Sequence, residues 1–390
     1  MSISPYNLCT SLKIKQRRPS LWGIKHQRGK TYILLDNYSH VKGFETGSKW
    51  KQVTVTIKKL KSHNRWGGKL IENFLAVKNE DSYMIGNTKK ELKLFEDRVE
   101  VFARAWTEGL KLFDIIYINH QNCYLLCTNE ALYRKDIDDK PPYAILTLNY
   151  YDWAQIKVRY SQKSKRLITT RDPKKISVVN LARKQREMEV NKPQGGYIID
   201  FRLFGKNDEK IVSITIDGYV YLHILKYDSR KLCACNHLKL ELHEKEREQA
   251  LSIAVCDKGK YALIELDGSN DLGVTIRLLV VKIDFNQITN TAIFEPGIQH
   301  PSSIRALECC GYLREQIVWL ALTESDLSVA QIYQYNTITS ALAQRQQLRM
   351  MNKESFPQRV QRIGNSFFYT GAKGSLMKLT IEAKEAPYIG

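Results

Sequence analysis

From about residue 72 to the C-terminus, short runs rich in Val, Ile, Leu, Tyr and Phe alternate with Gly, Asp, Asn and Lys turn residues. Runs of this length and composition, bounded in this way, predict β-strands. They group into units. Each has an apolar strand, a polar turn, a second apolar strand, a turn often carrying Asp or Gly, a third strand and a more polar fourth run. The units open near Glu72, Phe113, Ile156, Ile199, Leu251, Ile304 and Arg359.

Successive openings lie in the forties to fifties of residues apart, and four strands at that period predict a β-propeller. One four-stranded unit cannot cover both of its faces. Radial neighbours must supply the contact, so the units fold as a ring. The expected fold is all-β, a single propeller of seven blades over residues 31–390, preceded by a basic arm over residues 1–30. The last unit has three clear strands: Arg359–Ile363, Phe367–Thr370 and Leu376–Ile381. Near the N-terminus Gln52–Leu60 alternates Val53, Val55 and Ile57 with Thr54 and Thr56. That strand, residues 52–60, is expected to complete the last blade and remove an edge that would otherwise pair with other chains. Counting Thr31–Leu60 as a unit of its own gives eight blades, the alternative.

The third unit runs Ile156–Tyr160, Leu167–Thr170 and Ile176–Leu181, with turns at Ser161–Lys165 and Arg171–Lys175. It resembles a degenerate WD repeat. Ser161 stands near the usual Ser after the first strand, Asp172 at the tight-turn Asp, and Val179-Asn180 where the Trp-Asp pair would be. No unit carries both the Gly-His and the Trp-Asp dipeptides, so the resemblance over about residues 72–381 is one of spacing. It implies the ring closure and a role in protein–protein contact. Asp217-Gly218 predicts a hairpin turn, because both residues tolerate positive φ. Asp267-Gly268 is expected to act likewise after the second strand of the fifth unit.

Chemistry is sparse. There is no Gly-rich phosphate loop, no Gly-x-Ser-x-Gly, no His-Glu-x-x-His and no Cys-x-x-Cys. Cys233, Cys235 and His237 would share a strand face, but structural zinc takes four ligands. They read as core cysteines and an edge histidine. Cys123 and Cys127 share strand parity and read as core; His120 and His223 are expected inside apolar strands. The eight cysteines suggest free thiols in a reducing compartment. No catalytic residue, metal ligand or cofactor is assigned. An enzyme built in the central channel from several blades would leave no local motif and remains the third reading.

The net charge of +19 is unevenly placed. Residues 1–30 carry seven basic and no acidic residues; residues 41–70 carry eight basic residues and Glu45 alone; residues 157–192 carry twelve basic and three acidic. The rest of the chain is slightly acidic. The N-terminal composition resembles a mitochondrial transit peptide. Pro5, Pro19 and Gly23 interrupt a long amphipathic helix there, so the segment reads as a docking arm. No apolar run reaches the roughly 20 residues of a membrane span.

In a propeller, the turns joining first to second and third to fourth strands emerge on one face. Lys163, Lys165 and Arg166, and Arg183, Lys184 and Arg186, are therefore expected to converge there. Lys174 and Lys175, with Lys58, Lys59, Lys61 and Arg65 beside Trp66, are expected on the opposite face. These are the candidate binding residues. Their charge suits acidic protein surfaces in a multi-subunit assembly, cytoplasmic, cytoskeletal or ciliary. The alternative is an RNA-associated propeller in a ribonucleoprotein or mitochondrial ribosome, with a mitochondrial or nuclear location. No small-molecule substrate is expected.

Overall fold

The computed structural model describes residues 21–27, 30–35, 41–45 and 52–61. Between 73 and 384 it describes all but 88–90, 106–110, 148–156, 171–173, 192–193, 244–246, 271–272, 285–287, 295–303, 314–315, 324–328, 350–359, 365 and 371–375. The chain is a seven-bladed β-propeller. Six blades are antiparallel sheets of four consecutive strands, over residues 73–105, 112–147, 158–191, 198–239, 249–294 and 304–349. The seventh takes three strands from residues 360–384 and its fourth from Gln52–Lys61. We number the blades 1 to 7 in that order.

The inner strands are Asn73–Val77, Leu112–Ile118, Val158–Ser161, Ile198–Phe204, Gln249–Val255, Ile304–Leu313 and Val360–Ile363. Each touches the next, and the last touches the first, so the ring is closed. Apolar alternation along each sheet leaves two faces to cover, and the neighbouring blades cover them. Val212, Ile214 and Leu222 of blade 4 pack with Ile253, Ile264 and Val281 of blade 5. Trp319 and Tyr333 of blade 6 pack with Leu263 and Leu278 of blade 5. Phe74, Leu92 and Leu94 of blade 1 meet Ile115 and Leu126 of blade 2. Each such side chain contributes roughly 1.5–3 kcal/mol on burial, and most of that contribution needs the adjacent blade.

Closure is made at two levels. Gln52–Lys61 pairs with Leu376–Lys384, Val55 opposite Ile381 and Ile57 opposite Leu379. Between the first and last inner strands, the Gln361 amide accepts from the Val77 backbone N–H at 2.6 Å and donates to the Val77 carbonyl at 3.0 Å. The eight-blade alternative does not hold. Leu21–Gln27, Lys30–Leu35 and Val41–Glu45 add to the outer edge of Gln52–Lys61 in the same sheet, giving it seven strands. Hairpin pairing with the strand already present satisfies their backbone groups without a separate blade. Residues 1–20 lie outside the described residues.

Two local expectations need correction. Asp267-Gly268 is not a turn. It lies within the strand Tyr261–Asn270, Asp267 opposite Ile276 and the pairing continuing to Asn270 opposite Gly273. The partner strand Gly273–Ile283 is long enough to keep the ladder going past it. His120 is not in a strand but in the 3-10 turn Asn119–Gln121, because the strand before it ends at Ile118. His223 is inside a strand, Tyr219–Lys226, and buried. Asp217-Gly218 is a turn, with Gly218 at φ +82° donating its N–H to the Thr215 carbonyl at 2.9 Å. Cys123, Cys127, Cys256 and Cys309 are buried free thiols. The side chains of Cys233 and Cys235 lie outside the described residues. No helix among the described residues is long and apolar enough to cross a membrane.

Candidate functional site: the inner-turn face of blades 3 and 4

Strand register decides which cations share a face. In blade 3, Ser161 pairs with Arg166, Arg166 with Asn180, and Asn180 with Gln185. The turn carrying Lys163 and Lys165 and the turn carrying Arg183 and Lys184 therefore leave the same end of the sheet. Lys175 pairs with Asn191 at the other end, with Lys174 beside it. In the closing strand, Lys61, Lys59 and Lys58 pair with Leu376, Met377 and Lys378. Their side chains, and all of Arg65 and Trp66, lie outside the described residues.

Within the blade 3 cluster the side chains divide into two kinds. Some are structural braces. Arg166 donates from Nε to Glu187 Oε2 at 2.6 Å and from Nη1 to the Ser164 carbonyl at 2.5 Å. Its guanidinium lies 5.9 Å from the Tyr227 ring of blade 4. Burial alone would raise the Glu187 carboxyl; hydrogen bonds from Asn180 and Arg166 outweigh it and hold the group below the usual range. Lys163 donates to the Gly205 carbonyl at 2.9 Å and pairs with Asp208 at 3.2 Å, both in blade 4. Ser161 reaches the same Asp208 carboxylate at 2.7 Å. Arg186 pairs with Glu189, and Lys175 stands 3.8 Å from the other oxygen of that carboxylate.

The remaining side chains are exposed and have no acidic partner among the described residues: Lys165, Arg183 and Lys184. On blade 4, outside residues 157–192, Lys206 is likewise exposed, and Arg230 is exposed with its charge acting on Glu187. Asp208 and Ser161 bridge the first turns of blades 3 and 4, and the Arg230 charge acts on Glu187, so one continuous surface results. Lys165 also acts on His120, whose imidazole burial and that charge push below its ordinary value. The ring of His120 stacks on Tyr160, 5.9 Å between centroids.

A cleft of about 160 Å³ opens between the outer parts of blades 2 and 3. Leu146 and Val179 are its apolar lining; its polar lining is the buried Thr169 and Ser177 and the exposed Thr147, Lys184, Gln185 and Arg186. Thr169 is fully buried, and its Oγ1 has no hydrogen-bond partner among the described residues.

The ring centre is a second charged locality, of a different character. Arg202 donates to both oxygens of Asp200 at 2.9 Å. It also reaches across the ring to the Leu307 carbonyl and to Glu308 at 3.3 Å. Arg159 lies 3.4 Å from Asp200. Asp200 also accepts from the N–H groups of Phe201 and Ile253 at 2.9 and 3.3 Å. Burial would raise its carboxyl; Arg202 and Arg159 together overcome this and hold it low. Arg362 pairs with Asp257 at 2.6 and 3.1 Å and donates to the carbonyls of Cys309 and Cys310. Carboxylate–guanidinium pairs thus tie blades 3, 4 and 6 together and blade 5 to blade 7, and hydrogen bonds to backbone groups of Ile253, Cys309 and Cys310 join the two sets. No cluster of metal-ligating side chains occurs among the described residues.

Comparison with known proteins identifies the fold and no family. No family model matches the sequence, and no curated protein matches it. Among solved structures, the chain is similar to the β-propeller domain of Vanderwaltozyma polyspora Nup133. The TM-score is 0.59 at 11% identity, over 86% of this chain and 99% of that one. It is also similar to a chain in the S. cerevisiae complex of Dbp5 bound to Nup159, Gle1, IP6 and ADP. There the TM-score is 0.57 at 10% identity, over 86% of this chain and 96% of that one.

Proposed function

We propose that this chain is a non-catalytic interaction platform, a rigid propeller that presents basic turns to acidic protein partners in a larger assembly. The observation that carries the reading is the set of exposed cations, Lys165, Arg183, Lys184 and Arg230, on one face of two adjacent blades. They stand on turns anchored by the partly buried braces Arg166–Glu187 and Ser161–Asp208. A rigid base lowers the ordering cost of binding. The charges at the ring centre are spent on one another, which supports a structural role for the channel over a catalytic one. A similar structure named above comes from a multi-protein complex, which fits a platform.

The expected partners are proteins, and the expected compartment is the cytoplasm or a cytoskeletal or ciliary structure. The neighbours' nucleoporin names support the nuclear alternative. The RNA-associated reading rests on the basic stretch of residues 1–30 and the net charge. Native affinity purification with and without nuclease separates the two. The platform reading expects the same protein partners in both preparations; disappearance of the partner set on nuclease treatment overturns it.

A further inference from the structure

We infer that the seam between blades 2 and 3 is a docking groove for an acidic linear protein segment that carries one bulky apolar residue. The inference deepens the platform reading and rests on it. The apolar residue enters the cleft beside Leu146 and Val179, and flanking carboxylates meet Lys184, Lys165 and Arg230.

Three observations converge. The first is the cleft. At about 160 Å³ it resembles in size the apolar cavities of about 150 Å³ that hold a benzene molecule, so it takes one side chain of Leu or Phe size.

The second is the sign of the rim. Lys184 and Arg186 border the cleft, and Lys165 and Arg183 stand on the same end of the same sheet. Acidic groups stand beside them: Asp208 and Asp228 are on the turns of blade 4 at the same end, and Glu189 pairs with Arg186. A continuous phosphate backbone would meet those carboxylates as well as the cations. A protein segment can place carboxylates where the cations are and avoid the rest.

The third is where the cations stand. Lys165, Lys184 and Arg230 have φ of +56°, +52° and +54°, in the left-handed region that disfavours residues with a Cβ. In the equivalent first turns of blades 2, 4, 5 and 7 that region is occupied by Asn122, Asp208, Gly259 and Gly364, types that tolerate it well. Blade 3 places a lysine there instead. Among the outer turns, blades 3 and 4 carry Lys184 and Arg230, blade 6 carries Ser340, and blade 1 carries Asp97 and Arg98, the last paired with Asp81. Strained positions filled by the costlier residue mark places where the side chain serves something other than the turn.

The test uses the full chain and two fluorescent glutamate-rich peptides, one with a single central phenylalanine and one with alanine in its place. The phenylalanine peptide should bind more tightly. Thr147→Trp, at the exposed mouth of the cleft, should abolish the difference between the two. The triple variant Lys165→Asn, Lys184→Asn, Arg230→Asn should bind either peptide about tenfold more weakly, since three exposed ion pairs are lost. Its melting temperature should stay level or rise, because asparagine tolerates the left-handed turn. Equal binding of the two peptides, unchanged binding by the triple variant, or tighter competing binding by a single-stranded RNA of equal charge overturns the inference. Complexes that survive nuclease and also survive the triple substitution leave the platform in place and remove this site.

Discussion

His223 shows how one buried side chain sets a pH limit. It is 1% exposed in the strand Tyr219–Lys226, stacked on Tyr221 at 5.9 Å, and its Nδ1 has no hydrogen-bond partner among the described residues. Burial pushes its imidazole down to about 4. The unfolded chain takes up a proton near 6.5 while the folded chain stays neutral. Stability is therefore complete above pH 6.5 and falls as pH drops from there toward 4, by up to about 3 kcal/mol. Chemical denaturation across that window should show the loss, and His223→Phe should flatten the part due to this residue. At Asp217 the carboxylate accepts from the Gly196 N–H at 2.8 Å and from the Thr215 hydroxyl at 2.6 Å. Asp217→Ala should cost roughly 1–3 kcal/mol through the two donors left behind, read from the denaturation midpoint. The turn at Asp217-Gly218 was legible because its residue types suit the conformation. Nothing in the letters separates it from Asp267-Gly268. Only the length of the paired strand Gly273–Ile283 does that.

At the scale of elements, the closing strand is the test case. Gln52–Lys61 pairs along the whole of Leu376–Lys384, and its val-thr alternation announced it. A protein lacking residues 1–61 should expose the edge of Leu376–Lys384. It should lose monodispersity in light scattering and unfold at lower temperature. Restoring residues 52–61 as a separate peptide should recover part of the melting temperature; no recovery would show that the strand is dispensable to closure. The three strands that precede it were not anticipated as an extension of the same sheet. Sequence alternation marks a strand but does not say to which edge it adds.

At the scale of the whole molecule, the ring centre joins blades that are distant in sequence. Asp200 holds Arg202 and Arg159, and Arg202 crosses to Glu308. Asp200→Ala would leave two guanidinium groups without their main counter-charge in a buried setting, an arrangement that costs about 3–5 kcal/mol. Calorimetry should show that loss, while Asp228→Ala, exposed on an outer turn, should leave the melting temperature nearly unchanged.

The sequence by itself determined the all-β class, the propeller period, the closure by residues 52–60 and the uneven placement of charge. Those properties follow from local periodicity and composition, which each unit carries independently of the others. Seven blades against eight was decided by the strands of residues 21–45 adding to the edge of the closing blade. The tertiary structure alone decided which cations are braces and which are presented. Arg166 and Lys163 look like Lys165 and Lys184 in the sequence, yet the first two are held by Glu187 and Asp208. Asp208 belongs to the next blade, and Glu187 reaches Arg166 through the register of three strands. The cleft, the buried Thr169 hydroxyl and the central ion pairs likewise arise only where separate blades meet, because they depend on contacts between residues that no local pattern brings together.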